Sequence, residues 1–520
     1  METKKKITAK SVITTILFVL FIILLGTIAV TGRLLFESLK WLRDAWGDVS
    51  FTTAVFQMQT PMIGVDSNIV NEYVEAAVVP TILLCGIPLV INLVIALLIR
   101  HFHFFIPVSG RKKERKLTYR FFMAYGALLV ILASWIDVPA VAEDTGMDDY
   151  IANSLKGGSS FYQDYYVYPE KVSLTFPEKK RNLVMIYMES METTYASTDV
   201  GGGKPENYIP NLTQLAFDNA FFSDSAELGG CTQTFGSSWT IAAMLASTSG
   251  VPYVIPVEDN SMINYTSFLP GLTALGDILE ENGYSNYFCC GSDARFGGRR
   301  LYLTDHGDYH FCDFLFALDN GYVPEDYSYG WGMEDKKVFM MAKAELSRAA
   351  ASDEPFNFTI LTADTHFPDG ITCEDCDYSM EENQYGMCIS CSDRHVAAFV
   401  HWMQKQDWYE NTTVVLIGDH LSMNETFWDD LPAGYERHMY DCFLNLPAGL
   451  NERHMKSRQF SNEDYFPTIL AAMGVQIEGE RLGLGTNLFS EEETVLEEVG
   501  PDRYNDELAT NMTYITAHFD

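Results

Sequence analysis

The sequence predicts an α/β protein in two parts: N-terminal transmembrane helices, then a domain with a mainly parallel central sheet flanked by helices. Three observations carry this. Uncharged apolar runs crowd residues 1–137. From residue 179 onward, short apolar runs alternate with amphipathic helical patterns, as in a sheet covered on both faces. Three of those runs lead to residues with chemistry to offer: Glu189, His366 and the pair Asp419-His420.

Residues 12–31, 76–99 and 121–136 are the expected spans, each uncharged and the first two about as long as a bilayer core requires. A fourth near residues 50–65 is the open alternative. Lys4, Lys5, Lys6 and Lys10 precede the first span, and Arg111 to Lys116 with Arg120 lie between the second and third. The positive-inside rule puts both groups in the cytoplasm. Three spans then leave everything after Asp137 outside, on a multi-pass membrane protein.

The net charge of −35 lies mainly beyond residue 140, which excludes nucleic acid as a partner. An anionic lipid substrate would need a metal or local positive charge where it binds. Residues 138–178 form a polar, aromatic connector without clear periodicity, and the catalytic domain is expected over 179–495. Its clearest strands are 183–188, 358–361 and 413–417. Helices are expected at 211–218, 239–247, 271–282, 335–349, 392–405 and 464–473. The acidic stretch after Ser490, with a tail at 496–520, is expected to be peripheral and partly mobile.

Ligands in open α/β sheets bind beyond the carboxyl ends of strands, so Glu189, His366, Asp419 and His420 can converge. Gly418 breaks the last strand and frees both Asp419 and His420. The segment 229–252, GGCTQTFGSSWTIAAMLASTSGVP, runs from a flexible loop into an apolar helix. Ser237 and Ser238 stand at that junction, where a helix N-terminus favours an alkoxide or a phosphate. A lone serine there is merely an N-cap. Beside a Glu, an Asp and a His it completes a mixed oxygen and nitrogen set suited to Mn²⁺, Mg²⁺ or Zn²⁺.

Over residues 180–490 the motifs NLVMIYMES, PNLTQLA, QTFGSSWTIAAMLASTSGVP, WGMEDKKVF, LTADTHFPDG, CSDRHVAAFV, LIGDHLSM, DYFPTILAAMG and GLGTNL follow in order. In these the chain resembles the membrane-anchored phosphoglycerol transferases of the alkaline phosphatase/sulfatase superfamily, which include lipoteichoic acid synthases and glucan-modifying enzymes. The resemblance implies a metal site at Glu189, Asp419, His420 and the nucleophile, with Mn²⁺ the first choice. It assigns the nucleophile to Ser237, where the family uses Thr, with Thr240 and Thr234 as fallbacks. His366 falls on the family's substrate-side histidine and Arg299 on its phosphate-pairing basic residue. Gly297 replaces a family tryptophan. A sulfatase would instead carry Cys or Ser followed two residues later by Pro and then Arg, and 237–240 reads Ser-Ser-Trp-Thr.

The implied activity is transfer of phosphoglycerol from phosphatidylglycerol to an extracytoplasmic glycan, glycolipid or teichoic acid acceptor through a phosphoseryl intermediate. The alternatives are a phosphoethanolamine transferase of the same superfamily and a non-catalytic membrane glycan-binding protein. Cys373, Cys376, Cys388 and Cys391 have the spacing of a small zinc knuckle. The resemblance and an outside location instead imply disulfides, Cys373 to Cys391 with Cys376 to Cys388 nested inside. Cys289 or Cys290 with Cys312 is a further candidate bridge.

Overall fold

The structure, a computed structural model, describes residues 9–46, 51, 71–102, 105–106, 115–116, 119–156, 158–253, 266–424, 426–428, 430–451 and 455–519. The chain divides into two compact units, one of residues 1–49 and 67–148, the other of 50–66 and 149–520.

The first unit holds three helices long and apolar enough to cross a membrane: α1 (Ala9–Trp46), α2 (Asn71–Ile99) and α3 (Tyr119–Trp135). They contain the three expected apolar runs. Nearly all of the region offered as a fourth span, and most of the Arg111 to Lys116 cluster, lie outside the described residues. Leu17, Val90 and Leu132 are all more than half exposed, as lipid-facing side chains are. Two polar side chains are satisfied between helices, as the bilayer core demands. Asn92 Nδ2 donates to the Met123 carbonyl (3.0 Å) and Trp135 Nε1 to that of Ile28 (2.9 Å).

In the second unit, β1 (Asn182–Met188), β2 (Ser285–Cys290), β3 (His310–Cys312), β4 (Phe356–Leu361), β5 (Thr412–Gly418) and β6 (Asp441–Leu444) form one sheet in the order β3-β2-β4-β1-β5-β6. All pairings are parallel except β5 with β6. Both faces are covered, which is why the central strands read as unbroken apolar runs. Leu183, Met185 and Tyr187 pack toward the cluster that holds helices α5 (Thr240–Ser249) and α8 (Tyr465–Ala472). Val184, Ile186 and Met188 pack toward α4 (Pro210–Asp218), α6 (Asp335–Ala349) and α7 (Gln384–Met403).

Two expectations change. The connector contains short helices at Val138–Asp144, Met147–Leu155 and Phe161–Tyr165. The tail is not peripheral: Tyr504, Leu508, Ile515 and Phe519 belong to the core. The reason is shared. Tyr162 stacks on Tyr514 with centroids 4.4 Å apart, Tyr166 meets Phe519 at 5.4 Å, and the Gly271 amide donates to the Phe519 carbonyl (2.8 Å). Asp502 and Asp506 take the exposed side of the helix Pro501–Thr510, while aromatic residues far away in sequence pack against the tail's buried side.

One buried ion pair makes this unit pH-sensitive. His306 is 3% exposed, with Nδ1 3.0 Å from Asp277 and Nε2 2.8 Å from the Phe268 carbonyl. Two acceptors require both nitrogens to be protonated. Burial alone would lower the imidazolium's pKa, but the Asp277 hydrogen bond and charge raise it above 6.5. The stabilisation is therefore full below pH 6.5 and is lost as pH rises through the raised value. Thermal unfolding of the full chain in detergent should show stability falling over that range. His306→Gln should remove this component of the slope and cost about 1.5–3 kcal/mol near pH 6.

Candidate active site

The register of the sheet brings three strand ends together. Tyr187 pairs with Leu361 of β4, and Met188 pairs with Gly418 of β5. Glu189, Thr362 and Asp419 therefore leave the sheet side by side. The chain turns sharply after β1, with Ser190 at φ 50° in the left-handed region, unusual for a residue with a Cβ. Its conformation is held from all sides. The Ser190 amide donates to Asp419 Oδ1 (2.7 Å), its hydroxyl to Glu189 Oε1 (2.8 Å), the Glu189 amide to Thr362 Oγ1 (3.0 Å), and Thr365 Oγ1 to the Glu189 carbonyl (2.5 Å). Gly418 is required by close approach, since a Cβ there would lie 1.9 Å from the Met191 carbonyl oxygen.

Glu189, Asp419 and His420 are at most 3% exposed, and one ligand atom from each lies within 4.8 Å of the others. The His420 Nδ1–H donates to the Leu421 carbonyl (2.9 Å), so Nε2 is turned to the carboxylates, 3.5 Å from both Glu189 Oε1 and Asp419 Oδ2. Asp419 Oδ2 is buried and has no hydrogen-bond partner. Burial, and then the Glu189 charge, push the Asp419 carboxyl up to about 7. Burial would also raise Glu189, but the charges of His420 and His366 and the hydroxyls of Ser190 and Thr240 hold it below its ordinary value. Burial would lower the His420 imidazolium, and Asp419 with Glu189 raise it. An orphaned carboxylate oxygen and an imidazole nitrogen with its other nitrogen anchored fit a divalent cation.

The hydroxyl beside this cluster belongs to Thr240, the first residue of α5, whose Oγ1 donates to Glu189 Oε2 (3.3 Å). Ser237, expected there, is fully buried and folded back on its own loop. Its hydroxyl donates to the Thr234 carbonyl (2.8 Å) and accepts from the Thr234 amide (3.1 Å). Thr234 in turn reaches Glu463 (3.4 Å). The physical reason is the bend at Gly236, φ 80°, which turns the Ser237 side chain inward, while extended Trp239 at the N-cap delays the helix to Thr240. The signal was in the sequence: a helix expected from 239 places Thr240, not Ser237, in its first turn.

His366 donates Nδ1–H to the Phe367 carbonyl (2.8 Å), leaving Nε2 for another partner, and its ring lies 4.7 Å from Trp331. Trp331 meets Phe296 at 5.5 Å, and Phe296 lies under the Arg299 guanidinium at 5.5 Å. Arg299 is thus linked to His366 through two rings. Its own hydrogen bonds stay in its loop, to Ser292 Oγ (2.9 Å) and the carbonyls of Asp293 and Phe296 (both 3.0 Å), with none to the carboxylate cluster among the described residues.

Two pairs were not anticipated. The Asp335 carboxylate accepts the amides of Ala363 (2.8 Å) and Asp364 (3.0 Å), while its own amide donates to Asp364 Oδ2 (3.1 Å). This locks the start of α6 to the segment before His366, and burial pushes Asp335 up to about 7. Glu192, fully buried, pairs with Arg437 and accepts the Ser422 amide (2.7 Å), bracing the segment after His420. Asp335 sits in a quoted motif and Glu192 two residues after one, but a buried acid with its partners far away in sequence looks like any surface acid.

The expected disulfides are absent. All ten cysteines are free and buried, and Cys373 Sγ lies 3.7 Å from Cys391 Sγ, against about 2.05 Å for a bond. Cys289 and Cys312 pair across β2 and β3, yet both remain thiols.

With this geometry in view, the chain was compared with known proteins. The Sulfatase family model matches residues 181–475. Phosphoglycerol transferase I of Salmonella choleraesuis is 35% identical over 372 residues, covering 70% of this chain and 45% of the relative. The protein of that name from Escherichia fergusonii is 33% identical over 388 residues, 73% of this chain and 47% of the relative. The chain spans about half the length of the curated relatives it matches. Among solved structures, it is similar to lipooligosaccharide phosphoethanolamine transferase A from Neisseria meningitidis (14% identity, 87% of this chain and 84% of that one, TM-score 0.49). It is also similar to the lipoteichoic acid synthase LtaP from Listeria monocytogenes (14%, 72% and 98%, 0.48). With a Sulfatase match over more than half its length, laid on the sheet that carries Glu189, Asp419 and His420, the chain belongs to the Sulfatase family of the alkaline phosphatase superfamily.

Proposed function

We propose that this protein is a membrane-held phosphotransferase that moves phosphoglycerol from phosphatidylglycerol to a glycan or glycolipid acceptor, with Thr240 as nucleophile. One observation carries the reading. The Thr240 hydroxyl points at Glu189 within a buried cluster whose Asp419 Oδ2 lacks a partner. The relatives named phosphoglycerol transferase I support the choice of transferred group, and the positive charges flanking the spans support an extracytoplasmic catalytic domain.

Glu189, Asp419, His420 and Thr240 Oγ1 would hold the cation, Mn²⁺ being the first choice. When bound, it would lower the hydroxyl pKa and offset the charge of the phosphodiester. Thr240 Oγ1, its proton released to solvent, attacks phosphorus while the bond to the diacylglycerol oxygen breaks. His366, oriented by the Phe367 carbonyl, gives that oxygen a proton from Nε2. The acceptor hydroxyl then gives its proton to the neutral His366 and displaces Thr240, which leaves with the electron pair of its phosphorus–oxygen bond. Arg299, which the resemblance pairs with phosphate, would act from the far end of the ring stack that links it to His366.

In mixed micelles of the full chain, Mn²⁺ and fluorescent phosphatidylglycerol, Thr240→Ala should lower diacylglycerol release on the order of 10³-fold or more. Thr240→Ser should retain part of it, and Ser237→Ala should stay within a few-fold of the parent. A folded Ser237→Ala protein with no activity beside an active Thr240→Ala would overturn the assignment. Mass spectrometry of the Thr240 peptide separates phosphoglycerol from phosphoethanolamine as the transferred group.

Cation affinity should fall with pH. Asp419 takes up a proton as pH drops through about 7, and that proton must leave before the carboxylate can act as a ligand. Calorimetric titration with Mn²⁺ on either side of this value should show weaker binding on the acid side. Chelation should abolish turnover reversibly.

A further inference from the structure

We propose that Cys373, Cys376, Cys388 and Cys391 form a tetrahedral thiolate site for Zn²⁺, separate from the carboxylate cluster. The four are between 0% and 7% exposed. Cys373 and Cys376 lie on the loop after His366, and Cys388 and Cys391 are three residues apart on α7, so one helical face presents both toward the loop.

The spacing of the sulfurs decides between the chemistries open to them. A tetrahedron of sulfurs ~2.3 Å from Zn²⁺ has edges of about 3.8 Å. Cys373 Sγ lies 3.7 Å from Cys391 Sγ and 4.0 Å from Cys376 Sγ. Cys376 Sγ also neighbours the sulfurs of Cys388 and Cys391, and Cys388 Sγ lies 3.7 Å from the Asp369 carbonyl. Two disulfides would instead sort the sulfurs into two short pairs.

The surroundings fit the same reading. The Cys373 amide donates to Cys376 Sγ (3.2 Å) and the Cys376 amide to the Cys373 carbonyl (3.1 Å), a tight turn that offers an N–H to a thiolate. His395, one turn beyond Cys391, has a ring nitrogen within 4.8 Å of Cys373 and Cys391 sulfur, and its buried Nδ1 has no hydrogen-bond partner. Its Nε2 is held by Asp375 (3.1 Å). An imidazole held by a carboxylate through one nitrogen, with the other unpartnered beside two sulfurs, has the arrangement of a metal ligand, so His395 stands beside Cys388 as a candidate for the fourth position. Gly370 makes room, since a Cβ there would fall 2.8 Å from Cys388 Sγ.

A set of four thiolates is soft and selects Zn²⁺ over Mn²⁺ or Mg²⁺. As the ion binds, the four S–H protons pass to solvent and no electrons change hands. The ion closes the loop that begins at His366, whose carbonyl accepts the Gly370 amide (3.0 Å), onto the start of α7. The site is structural, with every ligand supplied by protein.

The test uses the full chain purified in detergent and treated with EDTA. Elemental analysis should find zinc equimolar with protein, retained in Asp419→Asn and lost in the Cys376→Ser/Cys391→Ser pair. Because that pair may fail to fold, the unmutated chain is also read in two ways. Growth with cobalt should give the sulfur-to-cobalt charge-transfer absorption of a tetrahedral thiolate site. Unreduced protein denatured with chelator should titrate ten thiols. Six thiols, meaning two disulfides, or a zinc-free chain with ten, would overturn the proposal. So would zinc that disappears with Asp419→Asn.

Discussion

Two carboxylates buried side by side at the ends of adjacent parallel strands are the constraint on which the rest depends. Glu189 and Asp419 leave β1 and β5 in register, fully withdrawn from water. Each desolvated carboxylate costs several kcal/mol unless compensated. The protein answers three of the four oxygens with donors from Ser190, Thr240 and the His420 amide, and leaves Asp419 Oδ2 without one. The strained turn at Ser190, the close approach at Gly418 and the anchored His420 ring all maintain that arrangement. A site built at such cost around one unsatisfied oxygen is built for a cation.

Much of this was legible because strand ends and apolar runs leave strong marks. The three membrane helices follow from uncharged stretches alone. Glu189 and Asp419-His420 could be found because each follows an unbroken apolar strand, and parallel pairing brings strand ends together. The hydroxyl beside the cluster is that of Thr240, the fallback, three residues beyond Ser237, for a local reason. Glycine and two serines before a helix look like an N-cap, but the positive φ at Gly236 turns Ser237 inward and hands the first helical turn to Thr240.

What stayed illegible has long-range causes. Acid-rich composition suggested a loose tail, yet Tyr504 and Phe519 are core residues because Phe161, Tyr162 and Tyr166 wait for them over 300 residues upstream. Strands β2, β3 and β6 were missed since they are short and mix polar with apolar residues. Asp335 and Asp364 meet only because α6 starts against the end of β4. No spacing rule announces such a pair. The cysteine spacing was seen at once, but choosing between a metal and disulfides needed the distances between sulfurs.

Some of these features gather around His366, and under the proposed function this bears on how a transferase differs from a hydrolase. His366 stands on the segment that the Asp335 carboxylate grips from one side. The Trp331 and Phe296 rings press it from another, and the four sulfurs close it from a third. In the proposed transfer, a phosphorylated threonine would be open to water as well as to an acceptor hydroxyl. Water at about 55 M is held back only if the acceptor arrives in a prepared geometry with a large effective molarity. A mobile histidine would serve either nucleophile. If His366 acts on the acceptor as proposed, one fixed by three independent attachments would serve whichever hydroxyl the wall around it is shaped to receive, so the rigidity of this segment is where selectivity for an acceptor would be set.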